Sequence, residues 1–227
     1  MLSKKLLSAC QTAVDGGGDI EFIGVNNGSQ SSSITGDTPL VSFGSSAISG
    51  VQSGDLLLVF ISDDLSHTLS NLSSGWTEAY KSTGHIGTST VAAYYKTATS
   101  SDTSFSIDGS VFNNAASSVM MAFRNASFGS ASVSTSDRDD PPSVSTSSGD
   151  AAVIALHYQD DDSRASPTDT DLPTSAGDSF RYITSNLSAG TLTWYNLSPS
   201  NPYNVGDIAG SGPFGDLGAS TIVLNNS

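Results

Sequence analysis

The chain reads as an all-β protein, an antiparallel jelly-roll-like β-sandwich with a short N-terminal helical docking peptide, and three observations lead there. Of its 227 residues only 13% are charged, while 22 are glycine. A typical globular chain carries about a quarter charged residues, so a neutral, turn-rich surface is expected. The acidity is almost wholly aspartate, Glu21 and Glu78 being the glutamates; aspartate favours turns and caps where glutamate favours helix interiors. After residue 18, short β-prone runs bounded by Gly, Asp, Asn or Ser recur along the whole length.

The first segment differs from the rest. Leu2, Leu6, Ala9, Cys10 and Ala13 recur at spacings of three and four, the signature of one helix face. Helices below about 12–15 residues are marginal in water, so this one should order only against another surface. Gly16-Gly17-Gly18 supplies a flexible hinge behind it. Residues 1–18 are therefore a docking peptide and hinge, with Leu2, Lys4, Lys5, Leu6 and Leu7 as the docking residues. The stretch from Lys4 to Cys10 imitates a lipoprotein signal, but only Leu6 to Ala9 separate the lysines from the cysteine, and such a signal needs roughly 7–15 apolar residues. Cys10 is the single cysteine, which leaves no internal disulfide. No run approaches the roughly 20 apolar residues of a membrane-spanning helix, so membrane insertion is not expected.

Past the hinge the strands follow in order. Residues 20–25, 41–43, 56–61, 91–96, 104–107 and 119–123 are the β-prone runs of the first half, and 56–61 is apolar throughout, as in a strand covered on both faces. The second half supplies 151–157, 180–184, 192–195 and 221–224. The halves repeat one pattern. Gly54-Asp55, an apolar strand and Asp63-Asp64 return as Gly149-Asp150, an apolar strand and Asp160-Asp161-Asp162. Ala116 to Phe123 is likewise matched by Ala219 to Leu224. Residues 19–227 are thus expected to form a single sandwich from two repeated, interleaved strand sets, about 37–128 and 143–227, with Pro141-Pro142 as a stiff crossover.

Chemistry-bearing patterns are few. The sequence has no Gly-x-Ser-x-Gly elbow, no phosphate-binding loop ending in Lys-Ser or Lys-Thr and no His-Glu-x-x-His pair, and His67, His85 and His157 are far apart. No enzymatic activity is expected. A net charge of -14 with eight scattered Lys and Arg argues against nucleic acid, which requires a clustered basic face. Asp160, Asp161 and Asp162 are the candidate metal ligands, because Ca2+ takes carboxylate and carbonyl oxygens; otherwise no cofactor is implied. Among the aromatics, Trp76 and Trp194 sit beside strands and are assigned to the core. Tyr203 is kept as the exposed ring for a receptor or glycan contact.

The series Gly54-Asp55-Leu56-Leu57-Leu58-Val59-Phe60, Gly75-Trp76-Thr77, Ala93-Tyr94-Tyr95-Lys96 and the alanine-led closing strand resembles the β-sandwich modules of phage and bacterial surface proteins. The leader Ser3-Lys4-Lys5-Leu6-Leu7 before a glycine hinge is similar to the beginnings of marine phage tail-fibre and other virion structural proteins. The resemblance implies a virion-surface protein, anchored by its N-terminus to other virion proteins of tail or capsid, as a tail-fibre or adhesin-type component. It also implies a host surface glycan or protein as partner, and it is compatible with a homo-oligomer. A capsid decoration protein and a bacterial cell-surface carbohydrate-binding module are the alternatives.

Overall fold

The computed structural model describes residues 18–30, 37–42, 48–63, 75–83, 90–99, 102, 104–108, 116–134, 141–159, 180–185, 189–204 and 217–227. These residues form strands and turns, with no helix among them; the segment expected to be a helical docking peptide lies outside them. In chain order the strands are β1 (Glu21–Gln30), β2 (Asp37–Ser42), β3 (Leu56–Asp63), β4 (Thr77–Thr83), β5 (Thr90–Thr97), β6 (Ser104–Asp108), β7 (Ala116–Arg124), β8 (Ala126–Val133), β9 (Ala151–Gln159), β10 (Phe180–Ser185), β11 (Ala189–Asn196) and β12 (Leu217–Asn226). All ten expected strands are present. The two not anticipated, β4 and β8, are edge strands. Both are half-polar and each contains or faces a bulge, which interrupts the alternation by which a strand is recognised.

One antiparallel sheet has the order β1-β7-β3-β5-β4 and a second has β10-β11-β9-β12-β8, while β2 pairs with β6. Read from the other edge, the second sheet is β8-β12-β9-β11-β10. The two orders are then identical, with β1, β3, β4, β5 and β7 matched by β8, β9, β10, β11 and β12. The repeat seen in the residues is thus a repeat of topology. It differs from the expectation in two respects: the strand sets are not interleaved, since each half completes its own sheet, and they divide between β7 and β8, so that β1 belongs to the first set and β8 to the second, instead of at the expected bounds of about 37–128 and 143–227. The passage between sheets comes at Asn125, a non-glycine residue at φ 55° between β7 and β8. Pro141 and Pro142 lie later, between β8 and β9, where the Pro142 carbonyl accepts a hydrogen bond from Thr221 Oγ1 at 2.8 Å.

The correspondence holds residue by residue. Leu56 faces Phe123 and Ala151 faces Leu224, so β3 aligns with β9 and β7 with β12. Ile23 is the extra residue between Phe22 and Gly24 in β1, and Gly129 is the extra residue between Phe128 and Ser130 in β8. A side chain at Gly129 would meet Val223 O at 2.9 Å, so glycine is required where the bulge presses on β12. The turns before β3 and β9 also match. Gly54 and Gly149 have φ of 100° and 90°, a region open to glycine. Asp55 Oδ2 accepts from Gln52 N–H and Asp150 Oδ2 from Ser147 N–H, both at 2.7 Å.

The sheets face one another. Leu56, Leu58, Phe60, Val119, Met121 and Phe123 of the first meet Ala151, Val153, Ala155, Tyr195, Ile222 and Leu224 of the second in a shared core. Two aromatic stacks cross it reciprocally: Phe22 on Tyr195 with centroids 4.5 Å apart, and Phe128 on Tyr95 at 4.0 Å. Phe22 corresponds to Phe128 and Tyr95 to Tyr195, so each contact is the other with the halves exchanged. Such reciprocity is the mark of a two-fold interface, here built within one chain. A second core lies on the far face of the first sheet, where Leu57, Val59, Ile61, Tyr94 and Met120 pack with Trp76 and Ile48. The assignment of Trp76 and Trp194 to buried positions agrees with the structure.

Candidate functional site

Where the inner faces meet near the ends of β3 and β9, the apolar packing gives way to four polar side chains. Strand alternation turns Ser62 and His157 inward, two residues beyond Phe60 and Ala155 respectively. His157 Nδ1 lies 2.7 Å from Ser62 Oγ, and His157 Nε2 lies 2.8 Å from Tyr80 OH. Tyr80 OH in turn lies 2.7 Å from Ser220 Oγ. Two members come from each sheet. Ser62 and His157 stand seven residues beyond Asp55 and Asp150, so they are equivalent positions touching across the pseudo-two-fold axis. Hydroxyls both donate and accept, so either neutral tautomer of the imidazole is satisfied.

A hydroxyl at 2.7 Å from an imidazole has the reach of a nucleophile and its base. Ser62, His157, Tyr80 and Ser220 are 2%, 0%, 8% and 0% exposed, between the two sheets. Burial pushes the Tyr80 phenol well above its ordinary range, with the Ser220 hydrogen bond pulling the other way. The arrangement is suited to pinning one sheet against the other in a single polar register. On the adjoining strand β11, Thr193 Oγ1 is buried with no hydrogen-bond partner among the described residues. Its counterpart in the first half is Ala93. Thr193→Val should therefore stabilise the protein by roughly 1 kcal/mol, since an unsatisfied buried hydroxyl is replaced by a methyl; a lowered urea midpoint would contradict this.

The ends of the strands define two poles. At one, Asn125 Nδ2 donates to Asp19 O and Ser227 N–H donates to Asn125 O, each at 3.1 Å. The first described residues, the junction and the C-terminus therefore meet at one corner, beside the Gln52–Asp55 and Ser147–Asp150 turns. Arg124 reinforces this pole by a two-pronged pair with Asp55, Nε to Oδ1 and Nη2 to Oδ2, both at 3.1 Å. At the opposite pole β3 ends beside Thr90 and Ala116, the β4–β5 and β10–β11 connections begin and return, β9 ends and β12 begins.

The candidate residues from the sequence fall unevenly on this frame. Leu2, Lys4, Lys5, Leu6 and Leu7 lie outside the described residues. So do Asp160, Asp161 and Asp162. Among the described residues no three His, Cys, Asp or Glu side chains come together as a metal site. Tyr203 is a correction. It was expected to be exposed, yet it is 4% exposed, and its backbone forms an antiparallel bridge with Val144. In chain order that bridge occupies the place in the second half that the β2–β6 pair occupies in the first. The polar cluster itself was missed, although continuing the Gly-Asp repeat seven residues further places Ser62 opposite His157. No protein-family model, curated protein or solved structure matches this chain.

Proposed function

We propose that the protein is a non-enzymatic structural component of a phage virion, held to the particle through its N-terminus and displaying the opposite pole of its sandwich, in the manner of a tail fibre or adhesin. The observation that carries this reading is the meeting of Asp19, Asn125 and Ser227 at one corner. A body whose first strand starts where its last one ends is tethered from one side, and the other pole is left to face outward. Three further features support the reading. The one Ser-His-Tyr grouping among the described residues is buried between the sheets, only 13% of the residues are charged, and the leader resembles those of virion proteins. The strand order of the first half also supports the finer, jelly-roll-like assignment: β1-β7-β3-β5 in one layer and β2-β6 in the other follow two Greek-key turns.

Attachment through the leader predicts a graded response. Each buried leucine contributes roughly 1.5–3 kcal/mol, whereas exposed ion pairs of lysine are worth about 0–1 kcal/mol each. Changing Leu6 and Leu7 to Asp should release a folded sandwich that is lost from purified particles, measured as copy number by mass spectrometry. Changing Lys4 and Lys5 to Ser should lower the copy number only modestly. Normal incorporation of the leucine variant would defeat attachment through the leader. Absence of the unaltered protein from particles would defeat the virion reading and favour a cell-surface module.

A further inference from the structure

Among the strands that end the two five-stranded sheets, β8 stands apart in its residues. β1 carries Glu21, β4 carries Glu78 and Lys81, and β10 carries Arg181, whereas no charged residue occurs from Asn125 to Ser136. Charged side chains on an edge strand keep other strands from adding to it, so β8 is the edge without that guard. The direction of its backbone groups follows from the pairing with β12. Ser134 N–H donates to Ala219 O at 2.8 Å, continuing the register that sets Val133 opposite Ser220. Hydrogen-bonded and non-hydrogen-bonded pairs alternate along an antiparallel ladder. Ser132 and Ser130 therefore bond to Thr221 and Val223, while Ala131 and Val133 turn their N–H and C=O groups to the outer side, where no described strand pairs with them.

The apolar side chains of the same strip are incompletely covered. β4 lies over β8 on this side of the sandwich. Ala79 of β4 and Phe128, Ala131 and Val133 of β8 pack against the shared core yet are only partly buried. The bulge at Gly129 ends the regular stretch, so a further strand is added most readily beyond it, from Ser130 onward. About a two-fold axis at Ser132 this strip is complementary to itself. Ala131 of each strand then faces Val133 of the other, a small side chain against a larger one, and the pair exchanges both backbone hydrogen bonds, while Ser132 faces Ser132. Charge selects the same occupant. With a net charge of -14 two copies repel wherever their acids meet, and this strip brings none together; a partner held by charge would find no charged group in it.

We propose that β8 pairs antiparallel with β8 of a second copy of this chain, about a two-fold axis at Ser132, joining two five-stranded sheets into one. The inference rests on the sandwich itself and not on what the leader is attached to.

The test follows the full chain by sedimentation equilibrium and amide hydrogen exchange over roughly 10–1,000 μM, because so short a contact associates weakly. Salt is held at about 0.15 M, where charges more than about 8 Å apart are largely screened. A reversible monomer–dimer equilibrium is expected. The Ala131 and Val133 amides should gain protection as the concentration rises, whereas those of Ser130 and Ser132, already bonded to β12, should gain little. Ser132→Lys sets like charges opposite one another at the axis and should weaken association about tenfold or more. An equimolar mixture of Ser132→Lys and Ser132→Asp should recover it as a heterodimer. If either variant does not fold, the exchange pattern of the unaltered chain decides. Four results would each overturn the proposal: a monomer at every concentration, which would leave the edge to a strand of another kind; a dimer that leaves the Ala131 and Val133 amides unprotected; a dimer that Ser132→Lys forms as readily as the unaltered chain; or no recovery when the two folded variants are mixed.

Discussion

His157→Ala should destabilise the protein by about 3 kcal/mol, near the upper end of what a single core substitution does. Two effects add. The imidazole is fully buried, so its removal leaves a cavity between sheets that cannot close without shifting β3 or β9. It also removes the shared partner of Ser62 and Tyr80, at 2.7 and 2.8 Å, and hydrogen bonds lost inside a core cost about 1–3 kcal/mol when a polar group is stranded. Ser62→Ala should cost less, about 1 kcal/mol, because it creates little cavity and leaves the Tyr80 contact in place. Urea unfolding of the two variants measures both. A His157→Ala loss below that of Ser62→Ala would show that the cluster does not pin the sheets.

Separating the halves should have a still larger effect. Residues 18–125 contain the whole first sheet, yet its inner face relies on the second for cover. Leu58, Phe60, Val119, Met121 and Phe123 would return to water, and at roughly 1.5–3 kcal/mol for each side chain the loss is on the order of 10 kcal/mol. The whole stability of a natural domain is about 5–15 kcal/mol. Neither 18–125 nor 126–227 should therefore behave alone as a folded monomer with a sharp thermal transition.

Much of this architecture could be read from the residues, and the failures have physical causes. Runs such as Leu56 to Ile61 and Ala151 to His157 declare themselves because both their faces are covered, and Gly54-Asp55 and Gly149-Asp150 because a positive φ at the turn calls for glycine. Pairing partners are another matter. Nothing local in β7 says whether it lies beside β3 or beside β9, so interleaved halves and segregated halves have the same strand pattern, and only the register separates them. The edge strands β4 and β8 escaped because one side of each needs no apolar residue. Tyr203 was misread for a related reason: it follows the Ser198 to Pro202 stretch, which has the composition of an exposed loop, but pairing with Val144 draws it beneath the surface. His157 looked like a lone histidine at a strand end. Its role depends on Ser62 and Tyr80, 95 and 77 residues away in the chain.

The duplicated, mutually covering halves are tested most directly by mixing them. Residues 18–125 and 126–227 should be prepared separately, combined in equal amounts and followed by size-exclusion chromatography with light scattering, then by thermal unfolding. The two-fold arrangement of the Phe22–Tyr195 and Phe128–Tyr95 stacks predicts a one-to-one complex that melts in a single cooperative transition, with neither fragment doing so alone. Two fragments that are each monomeric, melt sharply on their own and ignore one another on mixing would contradict it.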